Sequence, residues 1–166
     1  MIESAIAAET RDGWVVVYRD RSEDEIRDIY ATRFVDGAWT TGRPVHRDGW
    51  HISGCPVNGP AVAADETRVA TAWFTGAGEV PRVSLAFSDD QGATFREPTR
   101  IDDGDPIGRV AVLLDADGAL VSWIERVGEE AELRLRRVGL DGVAEPAMTV
   151  AAVSSARASG FPRMVE

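Results

Sequence analysis

A unit of about fifty residues is written three times along this chain, the period left in a sequence by small sheets repeated around a common axis. The first copy runs AIAAETRDGWVVVYRD and then IRDIYATRFVDGAWTTGRPV. The second runs AVAADETRVATAWFT and then PRVSLAFSDDQGATFREPTRI. The third runs AVLLDADGALVSWIE and then AELRLRRVGLDGVAEPAMTV, and a fourth opens at Phe161.

Each copy reads as four strands whose residue types change from the inside of such a fold to its outside. Ala5, Ala7, Ala8, Ala61, Ala63, Ala64 and Ala111 are small enough for a crowded axis. The second strand is apolar throughout in all three copies (residues 14–18, 69–74 and 120–124), as expected of strands covered on both faces. Glu132-Leu133-Arg134-Leu135-Arg136 alternates, which predicts an outer strand with one face buried and one solvated. Turns between the third and fourth strands carry Asp36-Gly37 and Asp141-Gly142, a strong hairpin signal. One stretch competes. Ser22 to Glu25 has the form of a helix capping box, and Ile26, Ile29, Tyr30 and Phe34 have helical spacing. The repeat register places residues 27–34 on the third strand, and Ile29, Tyr30, Thr32 and Phe34 suit a strand equally well.

The expected fold is therefore all-β, a β-propeller of four-stranded antiparallel blades with about three blades present. Blade one covers residues 4–46, a linking loop 46–58, blade two 59–102 and blade three 108–151. Residues 160–166 are the start of a fourth. Closing a ring takes roughly four to eight blades. The chain is thus expected to be part of a larger propeller, with a homodimer of two three-bladed halves as the alternative.

The corresponding turn of the second copy is Ser88-Asp89-Asp90-Gln91-Gly92-Ala93-Thr94-Phe95. It fits the pattern Ser-x-Asp-x-Gly-x-Thr-(Trp/Phe) known as the Asp box, and on it the chain resembles the BNR/Asp-box repeat proteins of the sialidase superfamily. The resemblance implies a six-bladed ring, of which this chain is half, and a secreted or periplasmic setting. It implies a glycoside hydrolase that acts on sialosides, using an arginine triad for the substrate carboxylate, a tyrosine nucleophile assisted by a glutamate, and an aspartate acid/base. The match is incomplete. The Arg-Ile-Pro motif of catalytic members is absent, Phe161-Pro162-Arg163 does not replace it, and neither Tyr18 nor Tyr30 sits in a matching context. No catalytic residue carries over, so a non-catalytic module that binds glycans or proteins stands beside the hydrolase reading.

With the Asp-box turn at one end of the sheets, the opposite end is built from residues 21–26, 76–81 and 126–130 and the links 45–58, 102–108 and 153–160. The link at 45–58 is the densest in chemistry. His46, Asp48, Trp50, His51 and Asn58 can combine ring stacking with hydrogen bonds to a sugar or another small polar ligand. The alternative is a long loop pinned by Trp50 and Cys55. Arg19, Asp20 and Arg21 form a second cluster at the same end, either a carboxylate-binding pair beside an acid/base group or an ion-pair lattice with the neighbouring acids. His46, His51 and Cys55 do not have zinc-site spacing, and residues 102–105 lack the order of a calcium loop, so neither metal nor cofactor is expected.

The net charge of −10, from 28 acidic against 18 basic residues, disfavours nucleic acid as a partner. Arg134, Arg136 and Arg137 cluster, but on a strand face expected to be solvated. No apolar run approaches the length of a membrane helix. Residues 1–4 do not form a secretion signal, and the single Cys55 leaves the redox compartment open.

Overall fold

The computed structural model describes residues 4–156 and 160–165. Each repeat folds into one antiparallel sheet whose strands follow chain order. The first sheet contains β1 (Ser4–Thr10), β2 (Gly13–Arg19) and β3 (Ile29–Val35). Its outermost position is shared by β4 (Ala38–Trp39) and β5 (Arg43–His46), which both pair with β3. The second is β6 (Ala61–Asp65), β7 (Arg68–Thr75), β8 (Arg82–Ser88) and β9 (Thr99–Arg100). The third is β10 (Pro106–Leu114), β11 (Gly118–Val127), β12 (Glu130–Gly139) and β13 (Met148–Val153). The first strands converge, with β6 lying against both β1 and β10; of the alanines expected to crowd there Ala61 is buried, while Ala5 and Ala7 on β1 are exposed.

Two apolar layers hold the stack together. Between the first and second sheets, Val15, Val17, Ile29, Ala31 and Val45 meet Val69, Trp73 and Ala86. Between the second and third, Ala70, Ala72, Val83, Leu85 and Phe87 meet Val112, Leu114, Ala119, Val121 and Trp123. β7 serves both layers: Val69 and Trp73 point one way, Ala70 and Ala72 the other. A strand with two apolar environments has no polar face to alternate with, so its sequence loses the period-two signal.

The first sheet departs from this expectation. Val15 and Val17 are buried, but Trp14 on the other face of β2 is 45% exposed and Trp39 is 58% exposed. An apolar second strand therefore does not guarantee cover on both faces. It is covered in β7 because a sheet lies on each side, and half-bare in β2 because the face carrying Trp14 has none among the described residues. The helical reading of residues 22–34 is excluded. Ser22 to Glu25 closes a tight turn, with the Ser22 hydroxyl accepting from Ile26 N at 3.1 Å, and β3 follows. The capping residue thus caps a turn that never propagates.

The arginine face of β12 also differs from expectation. Arg136 lies over the Trp123 ring at 5.6 Å and donates to the Ile101 carbonyl and to Asp103 at 2.5 Å each. Arg134 pairs with Asp103 and Glu132, and Arg137 with Asp115. Arg134 and Arg136 cross from the third sheet to the end of the second, while Arg137, on the other face of β12, stays within its own sheet. The Arg136 stem covers Trp123 while its charge meets Asp103, so this face is occupied rather than solvated. Residues 160–165 form no strand, since they find no ladder partner. Phe161 instead sits 5.7 Å beneath the Arg109 guanidinium, and Glu166 and residues 157–159 of the last link lie outside the described residues.

The turn from β8 to β9 is organised by Asp90. Its carboxylate accepts from Thr94 N at 2.8 Å, from the Thr94 hydroxyl at 2.7 Å and from the Ser88 hydroxyl at 2.8 Å. Ser88 Oγ in turn accepts from Gly92 N at 2.9 Å. Gly92 has φ of +81°, and a β-carbon there would come within 2.7 Å of the Val15 side chain, so both conformation and packing require glycine. Phe95 packs against the layer formed by Val15 and Trp73. Burial pushes the Asp90 carboxyl up, but the bonds from Thr94, Ser88 and Ala93 outweigh it and hold the group below its ordinary value. An acid whose folded value is depressed adds stability above its unfolded value and loses it as pH falls through the folded one. Asp90→Ala is therefore expected to lower stability by about 1–2 kcal/mol at pH 7, with the gap narrowing below roughly pH 4. Urea unfolding of both proteins at pH 7 and pH 3 measures it.

Candidate functional site

At the end opposite this turn, the strand ends and linking loops are drawn together by Arg19. Its side chain is fully buried at the end of β2 and donates to three backbone carbonyls. These are Asn58 at 3.1 Å, Arg27 at 2.7 Å and Phe74 at 2.7 Å. One guanidinium thus ties the first sheet, the link at residues 47–60 and the end of β7, using the fixed fork that only arginine has. Trp50 lies 4.9 Å from the Arg19 guanidinium and meets Phe74 edge-on at 5.6 Å. It is buried, so it serves the scaffold.

The link itself runs as a ladder against residues 25–27. Arg27 N donates to the Trp50 carbonyl at 2.8 Å, Ile26 bridges to His51, and Ile52 N donates to the Glu25 carbonyl at 3.2 Å. Asn58 closes the far end. Its amide donates to the Ile107 carbonyl at 2.9 Å and its carbonyl oxygen accepts from Arg109 N at 3.0 Å. A β-carbon on Gly108, whose φ is +95°, would approach the Asn58 side chain to 2.7 Å, so glycine there makes room for this junction of all three sheets. Cys55 is exposed and pins nothing; Trp50 does the pinning.

The remaining residues singled out in the sequence divide in two. Arg21 pairs with Glu25, which also takes Arg27 at 2.8 Å, and these bonds hold the Glu25 carboxyl below its ordinary value. Asp48 accepts the Trp73 indole N–H at 2.7 Å, beside the half-buried His46 ring. Burial pushes the Asp48 carboxyl up against the opposing pull of Trp73 and His46. His51 is exposed. Asp20 lines a concavity of about 220 Å³ with Ser22, Asp24, Ile26, Asp28, Tyr30 and Arg47. Asp28 is buried there and accepts Gly49 N at 2.8 Å. Tyr30 lies beside Tyr18, ring centres 6.0 Å apart, and burial followed by the Asp20 charge raises the Tyr18 hydroxyl.

The structure thus brings Arg19, Trp50 and Asn58 into one buried junction, leaves Asp20 on a separate concave surface, and sets Asp48 and His46 against Trp73. Sequence reasoning did not single out Asp28 and Tyr30. The available signal was the pairing of Tyr30 opposite Tyr18 across β2 and β3, which puts both rings on one face. Among the described residues no group of His, Cys, Asp and Glu is arranged to hold a metal ion, and no helix is long and apolar enough to cross a membrane.

No protein-family model matches the chain, and no curated protein matches it in sequence. Among solved structures it is similar to the Hadza microbial sialidase Hz136. The identity is 22%, the TM-score 0.57, and the match covers 92% of this chain and 37% of that one. The chain spans little more than a third of that sialidase. The shared architecture is the radial stack of antiparallel sheets described above, and the fold of this chain is that of a sialidase propeller, with three of its blades present.

Proposed function

We propose that this chain belongs to a sialidase-like, BNR-type glycoside hydrolase propeller and that its own contribution is to hold glycan at the loop end. The bonds of Ser88, Asp90, Gly92 and Thr94 support an Asp box at residues 88–95. The observation that carries the binding role is the concavity at Asp20, Asp28, Tyr30 and Arg47. Carboxylates accept sugar hydroxyls, an aromatic ring offers a flat apolar face, and about 220 Å³ suits a single sugar residue. Three aspartates against one arginine favour a neutral sugar over an acidic one, because a ligand carboxylate would be repelled.

A non-catalytic module is the second reading. It is favoured by the commitment of Arg19, Trp50 and Asn58 to the junction, which leaves none of them to work on a substrate. Titration of the chain with lactose and with sialyllactose is expected to give saturable binding that weakens several-fold or more in Tyr30→Ala and Asp20→Asn. Saturable binding of neither sugar would remove the proposal. Release from a fluorogenic sialoside separates the two readings. The bare flank of the first sheet at Trp14 and Trp39 suits a further blade, from the same protein or from a second copy closing the ring.

A further inference from the structure

We infer that the groove between the outer edge of the first sheet and the 88–95 turn of the second is a binding site for an oxyanion, a carboxylate or a sulfate group. It encloses about 280 Å³ and is lined by Arg33 on β3, Arg43 on β5, Thr40 and Thr41 between them, and the backbone of Gly92 and Ala93.

The register places the two arginines side by side. Arg43 stands opposite Ala31, and Arg33 is two residues further along the same face of β3, so the guanidiniums are diagonal neighbours on the side that looks toward the second sheet. Two like charges in that arrangement repel. Ten arginines elsewhere in the chain, Arg11, Arg21, Arg27, Arg68, Arg96, Arg100, Arg126, Arg134, Arg136 and Arg137, reach carboxylates. Among the described residues Arg33 and Arg43 make no ion pair, in a chain with 28 acidic residues. Arg33 Nε is also buried without an acceptor. A buried charged donor left unbonded is costly, and a bound ion or ligand is one way to complete it.

The groove supplies what an oxyanion needs. Arginine forks match its planar or tetrahedral oxygens, and the wall formed by the turn is kept close by Gly92. Thr40 Oγ1 is held in place by accepting Arg33 N at 3.0 Å and lies 3.5 Å from the Thr32 hydroxyl. This site lies on the rim of the stack, away from the loop end, and does not depend on the glycan-binding proposal.

The test is titration of the ¹⁵N-labelled chain at low ionic strength with sodium sulfate and, separately, with sodium glucuronate, chloride serving as the control anion. Saturable shifts of the Arg33 Nε–H signal and of amides at residues 40–43 and 92–93 are expected. The two arms tell a sulfate preference from a carboxylate preference. Arg33→Gln and Arg43→Gln should each weaken binding about tenfold or more, while Arg82→Gln, an exposed arginine outside the groove, should leave it unchanged. If Arg33→Gln does not fold, the exposed Arg43 decides alone. Shifts that never saturate for either anion, or an equal loss in Arg82→Gln, would overturn the assignment.

Discussion

Trp73→Ala is expected to destabilise the protein by about 3–5 kcal/mol, a large share of the roughly 5–15 kcal/mol a domain commonly has. Trp73 is fully buried between the first and second sheets, where its ring meets Val15, Val17, Ile29 and Ala31 across the gap. Removing the indole opens a cavity in that layer and strips Asp48 of its donor at 2.7 Å. Trp73→Phe separates the two contributions. It keeps most of the apolar contact and loses the N–H, so a smaller cost remains, and that cost should depend on pH. Asp48 is an acid whose carboxyl is raised by burial. Such a group adds stability below its unfolded value and loses it as pH rises through the folded one. Without the indole N–H the carboxyl rises further, so Trp73→Phe should cost more at pH 7 than at pH 4. Urea denaturation followed by circular dichroism at both values reads each effect, and a pH-independent deficit would show that Asp48 plays no part.

Arg19→Met should follow closely, at about 3 kcal/mol, since two buried carbonyls and one part-buried carbonyl lose their donor and each costs about 1 kcal/mol or more when left unbonded. Methionine replaces the stem of the side chain, so the loss is read mainly at the guanidinium. Arg19→Lys retains the charge but cannot reach Asn58, Arg27 and Phe74 together, because its donors radiate from one point. It should fall between the wild type and methionine. Thermal unfolding ranks the three, and a lysine variant as stable as the wild type would show that charge alone matters there.

The fold was legible because it is written redundantly. Each strand type recurs three times, and the repeat register decided residues 27–34 against a local helical pattern that Ser22 and Glu25 supported. The turn around Asp90 was legible because its partners lie within six residues of each other. What sequence could not give is which neighbour each face acquires. Trp14 and Trp73 look alike in sequence, both large apolar residues on a second strand, yet one is 45% exposed and the other buried, because among the described residues only Trp73 has a sheet opposite it.

The loop-end residues show the same limit. Arg19 and Arg21 invite a ligand-binding reading from their position at a strand end. The carbonyls that occupy Arg19 come from residues 8, 39 and 55 positions away in the chain. Arg134 and Arg136 read as solvated because the acid they share, Asp103, lies more than thirty residues back, beyond the end of the second sheet. Arg33 and Arg43 drew no notice, since it is the approach of the turn from the second sheet that makes a groove of them.

The two apolar layers share no residue and communicate only through β7 and the strands around it. Cooperativity in such a molecule is nearest-neighbour, as in a row of dominoes. Losing the first sheet would forfeit one layer and leave the other whole, so partial opening should start at the flanks and the middle sheet should be the last to exchange its amide protons.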